Sequence, residues 1–380
     1  MQPTATRRTS RALEDFARAS VRPVVAPWIV ARLLVGSGLA LARYLFTQIG
    51  HGTRPDPLRQ GFLAWDASFY RDIAAHGYHA VGRSGLRFFP LVPMAARGLG
   101  PILGGNTGVA LLIITNVAAL IFAALLHRLV MRETHDPGIA RRAAWFAMLL
   151  PPAMVLTLGY AEAVFLALAV GVFLCLRTGR WGTATVLGVL AGVSRPVGIL
   201  LVVPAAIEAA RGLRDTGTID RCRRAFAVAA PAIGTGIFLA WVGFTRDDWL
   251  LPFRVQQSPT LRGGFTDPIT SVIDGFGNLT GDRFGSGLHL AWAAVFVVLI
   301  VAVARRLPAS YTAYAAAAVL LALTAHNLDS FERYGVATFP IVIGAAIVTN
   351  RRELETSALT LTAGAMLGYS TLVFLGRYVP

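Results

Sequence analysis

The chain contains no lysine. All 35 of its basic side chains are arginine, against 20 Asp and Glu, for a formal net charge of +15 over 380 residues. Charge of either sign is scarce, at 14% of residues where a soluble domain carries roughly a quarter. With 55% hydrophobic residues, that scarcity excludes a soluble globular enzyme and marks an integral membrane protein. The arginines fall between apolar runs instead of gathering in one folded patch, which argues against a nucleic-acid partner. There are two cysteines, Cys175 and Cys222, both at or near a cytoplasmic loop on the topology below, so no disulfide framework is expected. The first 22 residues are polar and the first apolar run has full spanning length, so no cleavable signal peptide is expected either. No Asp-x-Asp triplet is present to argue for a nucleotide-sugar metal site, and no internal repeat of the secondary-transporter kind is visible. No cofactor is expected; metal dependence and oligomeric state stay open. Arginine throughout in place of lysine, with abundant Ala, Gly and Val, points to a GC-rich bacterial genome.

What the sequence does have is a succession of apolar segments. Residues 1–22, with Arg7, Arg8, Arg11, Arg18 and Arg22, read as a cytoplasmic tail along anionic lipid head groups, and 23–380 as one polytopic membrane domain. The spans expected are 24–46, 107–130, 142–158, 160–177, 183–194, 197–210, 225–245, 287–304, 309–325, 334–349 and 358–376, about eleven in all. Residues 183–194 and 197–210 are short for spans of about 20 residues and read as a hairpin joined at Ser194-Arg195-Pro196. Arg32 and Arg43 fall inside the first span, where each must face protein or snorkel. Between the first two full spans lies an external loop, 51–106, whose 88–104 stretch is interrupted by Pro90, Pro93 and four glycines and is expected to be interfacial or re-entrant. Arginine counting fixes the sidedness. Arg132, Arg141 and Arg142, then Arg177 and Arg180, then Arg211 to Arg224, then Arg305 and Arg306, then Arg351 and Arg352 all fall in turns that should be cytoplasmic.

That threading puts the unusual polar residues on the other face. The stretch Trp65-Asp66-Ala67-Ser68-Phe69-Tyr70-Arg71-Asp72-Ile73-Ala74-Ala75-His76-Gly77-Tyr78 is expected to form an interfacial helix ending at Gly77. Helical spacing puts Trp65, Phe69, Ile73 and His76 near one face and Asp66, Tyr70 and Gly77 on the adjoining one. Asp66 would hold a carboxylate at the water–lipid boundary; the same residue would serve equally as an N-cap. With it are grouped Tyr160 and Glu162, Arg195, the loop 246–286, and the turn from His326 through Arg333 and Tyr334. Glu162 would equally satisfy a helix dipole. Arg195 in a short hairpin is costly to bury unpaired and is assigned to anion binding. Carboxylates, arginines and a histidine converging beside interfacial aromatics make a site for a polar head group on a lipid tail.

These residues resemble a family. Trp65-Asp66-x-x-Phe69-Tyr70-x-x-Ile73-Ala74-x-x-Gly77-Tyr78, Phe88-Phe89-Pro90-Leu91-x-Pro93, Tyr160-x-Glu162-x-x-Phe165, Ser194-Arg195-x-x-Gly198, Arg333-Tyr334 and Phe339-Pro340 look like the PIG-V-type mannosyltransferases. The likeness covers 60–200 well and 326–340 moderately; 205–325 matches little. Val92 stands where the family usually has Tyr, and Ser68-Phe69 departs from its Gly/Trp-containing version. The resemblance implies an all-α, polytopic GT-C fold and inverting transfer of mannose from a polyprenyl- or dolichyl-phosphate donor to an extracytoplasmic acceptor. It implies Asp66 as catalytic base, Arg195 and Arg333 with His326 as donor-phosphate ligands, and Trp65, Tyr70, Tyr160, Glu162 and Tyr334 at the substrate. Asp72 is expected to be structural. A GT-C transferase of another lipid-linked sugar is the alternative; a transporter or flippase would need polar residues along a transmembrane path, and a scaffold needs no site.

Overall fold

The computed structural model describes residues 20–50, 52–258, 261–280, 289–326, 328 and 330–378. Most of the expected tail 1–22 lies outside these residues, as do 259–260 and 281–288 within or bordering the loop 246–286, and Asn327 and Asp329 in the turn before Arg333.

The described chain is helical: α1 Arg22–Ile49, α2 Asp56–Gln60, α3 Asp66–His76, α4 Leu91–Leu99, α5 Thr107–Thr134, α6 Pro137–Leu149, α7 Glu162–Arg177, α8 Trp181–Ser194, α9 Val202–Ala210, α10 Thr218–Arg246, α11 Leu251–Gln256, α12 Pro268–Thr280, α13 His289–Ala304, α14 Ala309–Leu323, α15 Phe331–Val336, α16 Phe339–Val348 and α17 Arg352–Phe374. Among the described residues, the one β contact is an isolated antiparallel bridge between Phe265 and Ala325. Helices α1, α5, α10 and α17 are long and apolar enough to cross a membrane, and shorter apolar helices fill the space between them. This is a membrane protein.

Proline and glycine place the breaks. The stretch expected as one span over 142–158 stops at Leu149, because Pro151 forces Leu150 into an extended conformation (φ −56°, ψ 133°) and a 3₁₀ turn, Pro151–Leu156, follows. The stretch 334–349 is likewise two pieces, α15 and α16, with Pro340 in the first turn of the second. Helix α4 is nine residues long, too short to cross, and runs into a 3₁₀ turn closed by Gly104 at φ 66°. Small residues govern the closest helix contact: a Cβ on Gly192 or Gly234 would collide with backbone of the opposite helix, so α8 and α10 lie backbone to backbone.

Polar residues inside the bundle are partnered. Arg32, half-buried on α1, donates to Asn116 Oδ1 and Leu156 O, both at 3.0 Å, and stacks on Trp28 at 4.5 Å; it faces protein. Arg43 is exposed. The main apolar core runs through α1, α5, α6, α7 and α13 to α17. A second, aromatic core, containing Tyr70, Ile73, Tyr78, Phe88, Phe89 and Val92, docks the loop 51–106 onto Phe238 and Val242 near the C-terminal end of α10. That docking brings α3 to the bundle end where α7 begins and α8 ends.

Candidate functional site

Helix α3 begins with a strained residue. Trp65 sits at its N-cap with φ 57° and ψ −128°, a region costing about 1–3 kcal/mol for a side-chain-bearing residue. Its indole N–H donates to Val373 O at the end of α17 (3.2 Å), which anchors the turn. Asp66 is the first helical residue and makes no capping bond with its side chain; its own N–H donates to the Tyr160 hydroxyl (3.3 Å). Gly77 closes the helix at φ 86°. The buried face is Ala67, Tyr70, Ile73 and Ala74, while Trp65 and Phe69 are half-buried and His76 is exposed. The face expected from helical spacing is therefore rotated: Tyr70 points inward, because it packs edge-on against Phe88 (5.0 Å). Burial pushes the Tyr70 and Tyr78 phenols well above their ordinary range and keeps them neutral; Tyr78 donates to Phe88 O (2.7 Å).

The Asp66 carboxylate, with a quarter of its surface open, accepts from Arg333 Nη1 at 2.8 Å. Arg333 arrives on α15, which also starts from a positive-φ residue, Ser330 (φ 63°). Of the four non-glycine residues at positive φ among the described residues, two thus precede the two helices that bring Asp66 and Arg333 together. The Arg333 Nε lies 3.6 Å from Glu162 Oε1, and its guanidinium rests on Tyr160 (5.6 Å) and Tyr334 (5.3 Å). Glu162, in the first turn of α7, is buried and forms a close ion pair with Arg195 Nη1. Arg195 is where it is because Pro196 excludes the helical conformation for its predecessor: α8 ends at Ser194 and Arg195 is extended (φ −156°, ψ 151°). Gly198 then passes so close to Ala191 that a Cβ would strike its backbone, which folds the turn inward.

Asp66, Tyr160, Glu162, Arg195, Arg333 and Tyr334 therefore meet in one cluster, with the Tyr70 phenol within the same electrostatic neighbourhood. Trp65 is an anchor beside it. His326 is exposed, on the segment bridged to residues 264–265, with its N–H donating to Gly264 O (3.3 Å). It stands one step out from the cluster. Asp72 pairs with Arg71 at 2.9 Å, away from Asp66.

Two further cations belong to the cluster that the sequence reading did not single out. Arg87 Nη2 is 3.7 Å from Asp66 Oδ1, and its guanidinium lies over Phe88 (4.7 Å) and Phe69 (5.4 Å). Arg262 lies over the Tyr334 ring at 4.5 Å and donates to Ala322 O (2.9 Å). Arg87 directly precedes the Phe88-Phe89-Pro90 motif, which was a usable signal; Arg262 sits in a stretch with no motif. Chemically, the cluster offers one partly open carboxylate as a proton acceptor and a set of planar cations as an anion cradle. Among the described residues, no three His, Cys, Asp or Glu side chains gather as a metal site would require.

Residues 56–233 match the family model described as Mannosyltransferase (PIG-V). That span contains Asp66, Tyr70, Arg87, Tyr160, Glu162 and Arg195; Arg262, His326, Arg333 and Tyr334 lie beyond it. The resemblance read from the motifs is borne out over that span. No curated protein matches the chain. Among solved structures, it is similar to the archaeal oligosaccharyltransferase AglB from Archaeoglobus fulgidus in complex with an inhibitory peptide and a dolichol-phosphate, at 13% identity and a TM-score of 0.45, over 93% of this chain and 56% of that one. It is also similar to the Archaeoglobus fulgidus oligosaccharyltransferase in complex with Zn and sulfate, at 13% identity and a TM-score of 0.45, over 92% of this chain and 52% of that one. The chain spans about half the length of these structures.

Proposed function

We propose that the chain is a polytopic glycosyltransferase of GT-C architecture, with about eleven membrane helices, that transfers mannose from a polyprenyl-phosphate donor to a cell-envelope acceptor. In this reading the site opens on the extracytoplasmic side of the plasma membrane, since the arginine-rich turns fall at the opposite end of the helices. Transfer is inverting. The acceptor hydroxyl oxygen attacks the anomeric carbon while Asp66 removes its proton. The bond from that carbon to the phosphate oxygen breaks, and its electron pair stays on the phosphate. The donor phosphodiester, with one negative charge, becomes a monoester carrying two.

The observation that carries this reading is the placement of the partly open Asp66 carboxylate inside a cluster that, among the described residues, has more arginines than carboxylates. A proton acceptor alone would fit many reactions. A proton acceptor beside a cradle for a growing negative charge fits loss of a phosphate leaving group. Tyr160 and Tyr334 line that cradle, and Glu162 fixes Arg195 and Arg333 in it. The test is incubation of membranes bearing the chain with radiolabelled polyprenyl-phosphate-mannose, followed by identification of the labelled product. Label should move to an envelope acceptor with the wild type and stay on the lipid with Asp66→Asn. A donor that is carried across the membrane with its mannose still attached would replace the transferase reading with a carrier.

A further inference from the structure

The ion pairs of the cluster leave positive charge over. Asp66 is bonded to Arg333 and Glu162 to Arg195, so both arginines assigned to the donor phosphate are balanced before any donor arrives. Arg87 is not. At 3.7 Å its nearest carboxylate oxygen, Asp66 Oδ1, is beyond hydrogen-bond distance, and that carboxylate already pairs with Arg333 through Oδ2. Its Nε is buried and has no hydrogen-bond partner among the described residues. The Nε atoms of Arg262 and Arg333 are in the same state, and Arg262 has no ion pair among the described residues. Among the described residues, four arginines thus gather about two carboxylates. A surplus of this kind in a largely desolvated place is stable only with a counter-anion.

The surroundings of Arg87 show how that anion would be met. Phe69 and Phe88, stacked at 4.9 Å, carry the guanidinium on their faces and hold its plane without using a single N–H. A guanidinium held flat by rings, with its donors unspent, is suited to the two-point recognition of a phosphate. Its side chain is 14% exposed, so the guanidinium is not sealed off although its Nε is buried.

We propose that Arg87 is a ligand of the donor phosphate and balances the second negative charge that appears when the sugar leaves. The proposal rests on the glycosyl-transfer reading and adds to it the residue that distinguishes product phosphate from donor. Arg87 contributes charge and hydrogen bonds, not a proton.

The test compares binding of radiolabelled polyprenyl phosphate and uncharged polyprenol to the purified full-length chain in nanodiscs. The wild type should prefer the phosphate. Arg87→Gln should weaken polyprenyl phosphate binding roughly tenfold or more while leaving polyprenol binding as it was. Arg87→Lys, a point charge without the fork, should recover part of the loss. Unchanged polyprenyl phosphate binding in Arg87→Gln overturns the assignment of Arg87 and leaves the transferase reading standing. A wild type that binds the two lipids alike overturns the donor reading itself. Equal loss of both lipids in both variants marks Arg87 as a packing residue and overturns the assignment. Inorganic phosphate in tenfold excess should leave the bound lipid in place; displacement would assign the site to free phosphate.

Discussion

Helix α7 carries a buried charge cluster at each end, and the two are built on opposite principles. Glu162 opens the helix and Arg177 closes it, 15 residues on and therefore about 22 Å away. At the Arg177 end, its guanidinium holds both oxygens of Glu133 (2.9 and 3.1 Å) and reaches Glu208 (3.1 Å). Glu208 also receives Arg211 (3.2 Å) and the hydroxyl of Ser310. Two arginines meet two carboxylates, and the bonds tie α5, α7, α9 and α14 together. At the Glu162 end, among the described residues, four arginines meet two carboxylates, buried donor atoms lack partners, and the helices that supply Asp66 and Arg333 both start from strained residues. The same side chains thus make a clasp where charge and hydrogen bonds close, and a ligand cradle where they do not. Neutrality with every charged group paired describes structure; surplus with strain describes a site held ready.

Substitutions at the two ends should separate stability from activity. The largest effect is expected from Asp66→Asn, which preserves size but cannot accept the acceptor's proton: turnover should fall at least about 10²-fold, with expression and donor binding retained. Asp72→Asn, on the same helix but paired only with Arg71, should be much milder in the same assay. Near-normal turnover of Asp66→Asn would make the carboxylate a structural partner of Arg333 and bring the two ends into one class. Arg177→Gln should do the converse. It strands Glu133, about 5% exposed, and leaves Glu208 with Arg211 and Ser310 alone, at a stability loss of roughly 3 kcal/mol, the low end of the buried-pair range because Arg177 itself is 23% exposed. Denaturation in detergent would read that loss, and the donor KM should not move.

Arg195→Lys is the intermediate case. The charge opposite Glu162 survives, so the fold should hold, but the planar fork does not, and the donor KM should rise several-fold. If Arg195→Lys and Arg195→Ala both keep the wild-type KM, Arg195 belongs with Arg177 as a fastener, and Arg333 must meet the phosphate with Arg87.

The contrast between the ends also explains what could be read from the chain beforehand. Apolar runs mark where helices lie because burial and backbone bonding in lipid demand them, and the turns at Tyr160–Glu162, Ser194–Pro196 and Arg333 stand out as charge beside spans. Helix α3 was legible from its rings and Gly77, though its buried face was not, since that depends on where Phe88 arrives from 18 residues on. The breaks at Pro151 and Pro340 were written in the sequence and outweigh the hydropathy that favours continuous spans. Arg262 was out of reach: nothing local distinguishes it from Arg254, which makes an exposed pair with Asp248 (2.9 Å). Only the fold brings Arg262 onto Tyr334, 72 residues away.

The smallest expected effect tests whether strain, and not charge alone, separates the ends. Each end has a non-glycine residue in the left-handed region: Ser330 (φ 63°, ψ 17°) ahead of α15, and the exposed His135 (φ 54°, ψ 22°) at the end of α5. Glycine adopts this conformation without penalty but has more freedom to lose on folding, so each replacement should stabilise by a few tenths to about 1 kcal/mol. At His135 that gain should come alone, because the residue terminates a helix near the balanced clasp and holds no member of the site. At Ser330 the same gain should be accompanied by a drop of several-fold in turnover, because the restricted backbone there fixes the direction in which α15 delivers Arg333 to Asp66. Turnover measured beside unfolding for the two glycine variants decides the matter. Equal gains with activity intact in both would make the positive φ at Ser330 an ordinary helix start, and the difference between the ends would then rest on charge.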